Sequence, residues 1–565
     1  STPIKSSAAS DVYKRQALCS CDDVLDALPE DKLPEETFWQ TPGNVRAFVA
    51  DVYSRAFPLE YEMHPCFDEA MSDNSYMQWE GWYTDIKLIG NGSYLTTTSV
   101  VNNHWAYAYT NIRMAWQFLE NIDKCSELSV EEKTSLTGQI RFFLAYSYIR
   151  LVALYGDVPL IEKVLTEEEA KTQVRTPKAE VLVFVHGQLD QAIKELEGKA
   201  LERGRVTSGA CKALKARAYL WENDFSNLLT VTSELIGKYS LNTAGETPYA
   251  DLFNGNAEDS DEIILAREHV HTSGSITTGN RLNQAFFLKE MSGGDALGGL
   301  TPTGSMVDAY PMADGRLIHE NGSTYDPKNP YKDRDPRLAQ SIIYPTSTIR
   351  ESKTMSWVLY DPESEESIPG QRYDAKEPSP TGYVWKKYCD WSDHAMIQIL
   401  DGGVDVIYFR YADVLLMHAE ALLETKGIAA SSEIFGIINQ LRDRCGGGRV
   451  TEANYTSEEA LRTLVRNERR VELANEGLRF FDLRRWRIAE KTTTLSGEGM
   501  NGELYGAFMR LDGVGATDRT VTIDGVPRRY VEIRNFDPTK HYLFPIPSKD
   551  IDLTNGSLTQ NPGWS

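Results

Sequence analysis

The chain has 565 residues, enough for several domain-sized units and a large core that needs no disulfide or metal staple. Hydrophobic residues make up 41% and charged residues 25%, which excludes wholesale disorder. Lys and Arg number 59 against 82 Asp and Glu, and the net charge of −23 repels nucleic acid and excludes a polybasic membrane-surface mode.

Residues 1–16 are polar, lack the apolar core of a signal peptide and stand outside the fold reasoning. Leu18-Cys19-Ser20-Cys21 then has the form of a bacterial lipobox, with Cys21 as the acylated residue and the start of the mature chain. Asp22 and Asp23 follow it. No run approaches ~18 consecutive apolar residues, so a lipid on Cys21 would be the membrane anchor. The seven cysteines show no CxxC spacing, which disfavours a disulfide framework or structural zinc.

Residues 139–155 are apolar nearly all round and predict a buried helix, stopped by Gly156 and Pro159. Val181, Phe184, Val185, Leu189, Ile193 and Leu196 repeat at helical spacing over 179–196. Thr207 or Ser208 can cap the following helix, whose Ala210, Ala213, Ala216 and Ala218 allow close approach by a neighbour. A partner helix follows Asp224. Such helix–turn–helix pairs are tetratricopeptide-like, although no clean 34-residue period is present. A second set of helices is predicted at 406–424, 431–445 and 457–476.

Between the two sets, 244–405 is rich in Gly, Pro, Asn and Asp and predicts loops with a few short strands, one of them at Glu262–Ala266. Five segments result: a residual leader (1–20), an N-terminal helical scaffold (21–243), a loop-rich ligand-binding subdomain (244–405), a C-terminal helical scaffold (406–489) and an irregular segment packing on it (490–565). The fold class is mainly α, a helical scaffold carrying an irregular insertion. Long irregular insertions of this kind are usually functional.

Enzyme signatures such as HExxH, GxSxG or a Walker A loop are absent from the sequence. Gly446-Gly447-Gly448 reads as a helix C-cap. His269 and His271 would share a strand face, but no third ligand is evident for a metal. Asn254, Asn256, Glu258, Asp259 and Asp261 could hold calcium by oxygen ligands; without EF-hand spacing they read as a solvated loop. No other cofactor is expected. Glu468 and Glu472 share an apolar helical stripe with Leu461, Leu464 and Val465. They could serve a helical glycoside hydrolase as acid and base. The nearby Arg466, Arg469, Arg470, Arg479, Arg484 and Arg485 favour a structural ion-pair network instead.

The remaining signal is aromatic. Trp79, Trp82, Tyr83 and Tyr94 lie near Asp73 and Asn74 in a polar segment. Trp357, Tyr360, Tyr383, Trp385 and Trp391 lie in the insertion. Flat rings stack on the C–H faces of sugars while Asp and Asn bridge hydroxyls, so Asp73, Asn74, Trp79, Trp82, Tyr83, Tyr94, Trp357, Tyr360 and Trp391 form the candidate ligand set.

Read together, several motifs carry a family resemblance: Cys21-x-Asp23-x-Leu25-Asp26-x-x-Pro29, RFFLAYSYIRLVALYGDVPLI (141–161), GRVTSGACKALKARAYLW (204–221), PTGSMVDAYPMADG (302–315), RDPRL (334–338), FRYADVLLMHAEALLE (409–424), NQLRDR (439–444), VRNERRVELANEGLRFFDLRRW (465–486) and LFPIPSKDIDLTNGSLTQNPGW (543–564). In this order they resemble the SusD/RagB-like outer-membrane nutrient-binding lipoproteins. The resemblance implies a tetratricopeptide-like scaffold with an irregular ligand-binding subdomain, and a lipid-anchored protein on the surface of the outer membrane of a Bacteroidota-type bacterium. Asp22-Asp23 would be its surface-export signal. It further implies non-enzymatic capture of oligosaccharides and delivery to a SusC-like TonB-dependent transporter, over whose barrel the protein sits as a lid. A peptide-binding lid is the alternative. The matched motifs belong to the scaffold, so the resemblance transfers no sugar-binding residue.

Overall fold

The computed structural model describes residues 35–58, 64–79, 85–271, 279–288, 296–327, 329–345, 347–351, 356–358, 379–392, 398–493, 497–507, 520–523 and 525–564. The scaffold begins with α1 (Pro42–Ala56), which buries Val45, Val49, Val52 and Ala56 along one stripe. It continues with α2 (Ser99–Asn121), α3 (Val130–Tyr155), α4 (Lys178–Leu196), α5 (Ser208–Glu222) and α6 (Phe225–Leu235). After the insertion come α7 (Tyr411–Lys426), α8 (Ser431–Cys445), α9 (Glu458–Glu472) and α10 (Arg479–Arg485). Helices α2 to α7 pack each on the next, and α7 also carries α8 and α9.

Local chemistry sets the helix ends. Ser129 accepts from the Glu132 amide (3.1 Å), so α3 starts nine residues before its apolar run. Thr207 caps α5 and Asp224 caps α6. Asn223 between them is left-handed (φ 58°), which folds the two helices into a tight pair. Gly446 ends α8 with φ 72°.

Two helix predictions need correction. Residues 406–410 are not helical: Val406–Arg410 is a strand, and the helix starts at Tyr411. The run is β-branched and aromatic, is buried throughout, and pairs with the strand Ile263–Arg267. The predicted 457–476 helix stops at Glu472, because Asn475 (φ 61°) and Gly477 (φ 75°) turn the chain.

The strands are short and every ladder is antiparallel. In chain order they are β1 (Ser75–Met77), β2 (Ile263–Arg267), β3 (Leu300–Pro302), β4 (Ile342–Ile343), β5 (Thr348–Glu351), β6 (Ser356–Val358), β7 (Val384–Trp385), β8 (Val406–Arg410), β9 (Gly502–Tyr505), β10 (Thr520–Ile523) and β11 (Val526–Arg534). β1 pairs with β3, β2 with β8, β4 with β7 and β5 with β6, while β11 runs between β10 and β9. The β2–β8 ladder matters most for placement. It brings the start and end of the loop-rich excursion together at the base of α7.

The C-terminal segment closes against the first helices. The Phe544 amide donates to the Leu154 carbonyl (2.7 Å), and Asn561 Nδ2 donates to the carbonyls of Tyr155 (2.8 Å) and Phe544 (2.7 Å). Trp564 packs on Tyr94, with centroids 4.9 Å apart. The described cysteines Cys66, Cys125, Cys211, Cys389 and Cys445 are free and buried. Among the described residues no helix is long and apolar enough to cross a membrane.

Candidate functional site

The excursion builds a braced rim. Its first piece is the β1–β3 ladder, extended by the Gln78 amide donating to the Gly299 carbonyl (2.9 Å). Trp79 follows and lies flat on Gly299, where any Cβ would run into the indole. The irregular 296–299 segment folds back over the short helix Leu282–Phe286, with the Leu297, Gly298 and Gly299 amides donating to the carbonyls of Gln284, Phe287 and Ala285. Phe287 in turn packs on Trp391, with centroids 5.0 Å apart. Trp391 is only partly buried.

Buried polar side chains lock this rim. Asn283 donates to the Asp390 carbonyl (2.8 Å) and accepts from the Asp390 amide (2.9 Å), imitating a strand pair across 107 residues. The Asp390 carboxylate accepts from the amides of Ser392 (2.9 Å) and Gly403 (2.7 Å) and sits 3.2 Å from His271 Nε2. Asn280 Nδ2 donates to the Val404 carbonyl (2.6 Å). Irregular backbone held by this many polar clips is preformed, as a binding rim requires. Neither Asn283 nor Asp390 is visible in sequence as a positioning residue, because their partners are remote.

The predicted ligand residues separate into three groups. Trp79 packs on Gly299 and Trp391 on Phe287, and the Gly298 amide bonds the Phe287 carbonyl between them, although Trp79 is only 8% exposed. Cys21, Trp82, Tyr83 and Tyr360 lie outside the described residues, and Trp357 lies in β6, of which only the backbone is described. Asp73, Asn74 and Tyr94 are corrected to structural roles. Asp73 is fully buried and accepts from Arg479 Nε and Nη2 (2.8 Å each) and from the Gly499 amide (2.9 Å). Burial opposes its ionisation, but Arg470 and Arg479 hold its carboxyl well below the usual range. Asn74 accepts from Arg470 Nε (2.8 Å) and donates to Glu69 (3.0 Å). Tyr94 is packed under His541, Phe544 and Trp564. Tyr383 and Trp385 are fully buried, the indole N–H donating to Ser75 Oγ (3.0 Å). The sequence reasoning missed a stacked pair, Tyr331 on Tyr344 (4.5 Å), half-buried on the excursion.

Glu468 and Glu472 do form an ion-pair network, but not with the expected arginines. Glu468 accepts from Arg337 Nη1 (2.7 Å) and Arg442 Nε (2.9 Å). Glu472 accepts from Arg337 (2.9 Å), Arg410 (2.8 Å) and Arg444. Glu262 and Glu476 complete the cluster around Arg410 and Arg444. The sequence-adjacent arginines serve other acids: Arg469 binds Asp413 and Asp482, and Arg485 binds Glu420 and Asp482. On an α-helix, residues one or two apart point to different faces, so adjacency misleads here.

This core carries a pH signature. Burial would raise the carboxyls of Glu472 and Asp413, but arginines overcome it, pulling Glu472 well below its usual value and Asp413 down to about 2. The unfolded chain binds protons that these groups refuse when folded, so their stabilisation is complete above the unfolded carboxylate range and is lost as pH falls through the folded values. The urea midpoint is therefore expected to fall steeply from about pH 4 towards about pH 2. A midpoint unchanged across that window would refute the network's role.

The His269 amide donates to Asp405 (2.7 Å) and His271 Nε2 lies by the Asp390 carboxylate; among the described residues no group of three His, Cys, Asp or Glu side chains could hold an ion. Asn254 and Asn256 donate to Asp251 (3.3 Å each), and Arg203 pairs with Glu258 and Asp259.

Comparison with known proteins agrees with this architecture. A family model described as "SusD family" matches residues 261–564, and one described as "Starch-binding associating with outer membrane" matches 23–220. SusD-like protein P2 of Formosa agariphila is 23% identical over 495 residues, covering 85% of this chain and 83% of that protein. The crystal structure of a SusD-like protein from Bacteroides fragilis superposes with a TM-score of 0.75 at 26% identity, covering 94% of this chain and all (100%) of the other. A SusD-like carbohydrate-binding protein of the same species gives a TM-score of 0.76 at 24% identity, covering 92% and 99%. With more than half its length matched by the family model, and the helical row and loop excursion in place, the chain belongs to the SusD family.

Proposed function

We propose that the protein captures oligosaccharides at the cell surface and hands them to a SusC-like TonB-dependent transporter, held to the outer membrane by a lipid on Cys21. The observation that carries the binding role is Trp391, only partly buried, on a rim clipped by Asn283 and Asp390. A preformed ring offers stacking area at little ordering cost. The family descriptions of starch binding and outer-membrane association, and the carbohydrate-binding relative, support the ligand class and the location. The protein acts without catalysis. Glu468 and Glu472, the carboxylates weighed as acid and base, are sealed from solvent and saturated by arginines, so neither can exchange a proton with a substrate.

Affinity electrophoresis through gels holding soluble α- and β-glucans, beside a peptide panel, tests this. Trp391→Ala, Trp82→Ala and Trp357→Ala are each expected to weaken glycan binding by ~1–2 kcal/mol, and Trp391→Ala, which also loses its packing on Phe287, to lower the melting temperature as well. Unchanged retardation in all three variants removes the ring platform. Peptide retention without glycan retention would favour a peptide-binding lid.

A further inference from the structure

His271 stands where the chain runs on from β2, and it faces the turn that carries Trp391. Its imidazole presses against Gly403, where an added Cβ would stand 2.7–2.9 Å from three ring atoms. Both ring nitrogens meet oxygen. Nδ1 is 3.0 Å from the Asp401 carbonyl oxygen, and Nε2 is 3.2 Å from Oδ2 of Asp390. A backbone carbonyl has no hydrogen to give. The Asp390 carboxylate already accepts at both oxygens, from the Ser392 amide (2.9 Å) and the Gly403 amide (2.7 Å). A neutral imidazole has one N–H, so its other nitrogen would aim a lone pair at one of these oxygens. Only the imidazolium offers a hydrogen to each side.

The charge bookkeeping agrees. Among the described residues no Lys or Arg side chain lies within ion-pair distance of Asp390, and His271 is its counter-charge. The Asp390 side chain is 6% exposed while that of His271 is 38% exposed, so the proton exchanges with solvent. The other charged groups on the segments that meet here are otherwise engaged or face elsewhere. Glu268 and Asp405 pair with Arg203, the Asp401 carboxylate lies against Gly279, and His269 and Arg281 make no ion pair with Asp390.

The contact reaches Trp391 through the backbone. Asp390 precedes it in the chain and is paired to Asn283 by its own amide and carbonyl. The Asp390 carboxylate also holds Gly403, next to Gly402, whose amide and carbonyl pair with those of Asn280 (2.9 and 2.8 Å). Without the charge on His271, a nearly buried carboxylate keeps amide donors alone; water then competes for it and the turn loosens. We infer that His271 is a positioning residue for the glycan rim: as imidazolium it bridges the Asp390 carboxylate and the Asp401 carbonyl and holds the Trp391 turn in its binding geometry. The inference rests on the saccharide reading only for what the ring holds.

The bridge exists where His271 is charged and is lost as pH rises through the range, about 5 to about 8, in which an imidazole gives up its proton. Fluorine NMR of the full chain labelled with 5-fluorotryptophan reads the turn without any ligand, the resonance missing from Trp391→Phe being the one followed. That resonance is expected to move between about pH 5.5 and about pH 8.5 in the parent. In His271→Gln it is expected to hold the alkaline position throughout. In His271→Arg, which keeps the charge and several N–H donors, it is expected to hold the acid position. Burial pushes the Asp405 carboxyl up to about 7, so Asp405→Asn is the control and is expected to leave the movement intact. A resonance that stays still in the parent, or moves equally in His271→Gln, overturns the inference. Affinity gels holding soluble starch or laminarin, both uncharged, complete the test at the same two pH values. Retention is expected to weaken at least about threefold at the alkaline pH in the parent and to be equal at both in His271→Arg. Equal retention by the parent at both overturns the positioning role. A moving resonance with no retention on either glucan upholds the bridge and refutes the saccharide reading instead.

Discussion

Replacing Glu472 by alanine is expected to destabilise the protein by about 3–5 kcal/mol, read as a lower urea midpoint. Glu472 is fully buried and is the shared acceptor of Arg337, Arg410 and Arg444. These arginines arrive from the insertion, from β8 and from α8. Removing the carboxylate leaves positive charge in a low-dielectric core with too few acceptors, and the lost desolvation compensation exceeds any side-chain entropy regained. A surface pair provides the contrast. Glu132 accepts from Arg46 at 2.7 Å, but both side chains are well exposed (34% and 56%), so Glu132→Ala is expected to cost no more than about 1 kcal/mol. Equal effects of the two substitutions would show that the buried cluster contributes no more than a solvated one.

Asp73→Ala is the second large effect. Asp73 holds Arg479 by two hydrogen bonds and caps the Gly499 amide, which joins the polar turn before β1 to α10 and to the segment after it. Losing the carboxylate strands Arg479, whose side chain is 3% exposed, at an expected cost of about 3–5 kcal/mol. Glycan affinity of the protein that still folds is expected to match that of the parent. The opposite pattern, normal melting with lost affinity, would return Asp73 to the ligand set.

The scaffold was legible because its signals are local. Apolar period, the cap at Thr207 and the stops at Gly156 and Gly446 all lie within a few residues of what they determine, whereas the Ser129 cap, nine residues before the apolar run, went unread. Val406–Arg410 was misread because a short apolar run has no period long enough to separate strand from helix; its partner, β2, lies 139 residues or more upstream. The binding region was harder for the same reason. Asp73 and Asn74 look like surface polar residues until Arg470 and Arg479, some four hundred residues later, are folded over them. Tyr94 looks free until His541 and Trp564 cover it. Trp391 is only partly buried, and nothing in its neighbourhood of the sequence distinguishes it from the buried Trp385.

The tail clasp has a consequence for how the molecule is made. The carbonyls of Leu154 and Tyr155 wait for Phe544 and Asn561, which leave the ribosome almost four hundred residues later. Closing so long a loop is slow, and during synthesis these seams stay open. These seams between the first helices and the tail can therefore close only after the last residues are made.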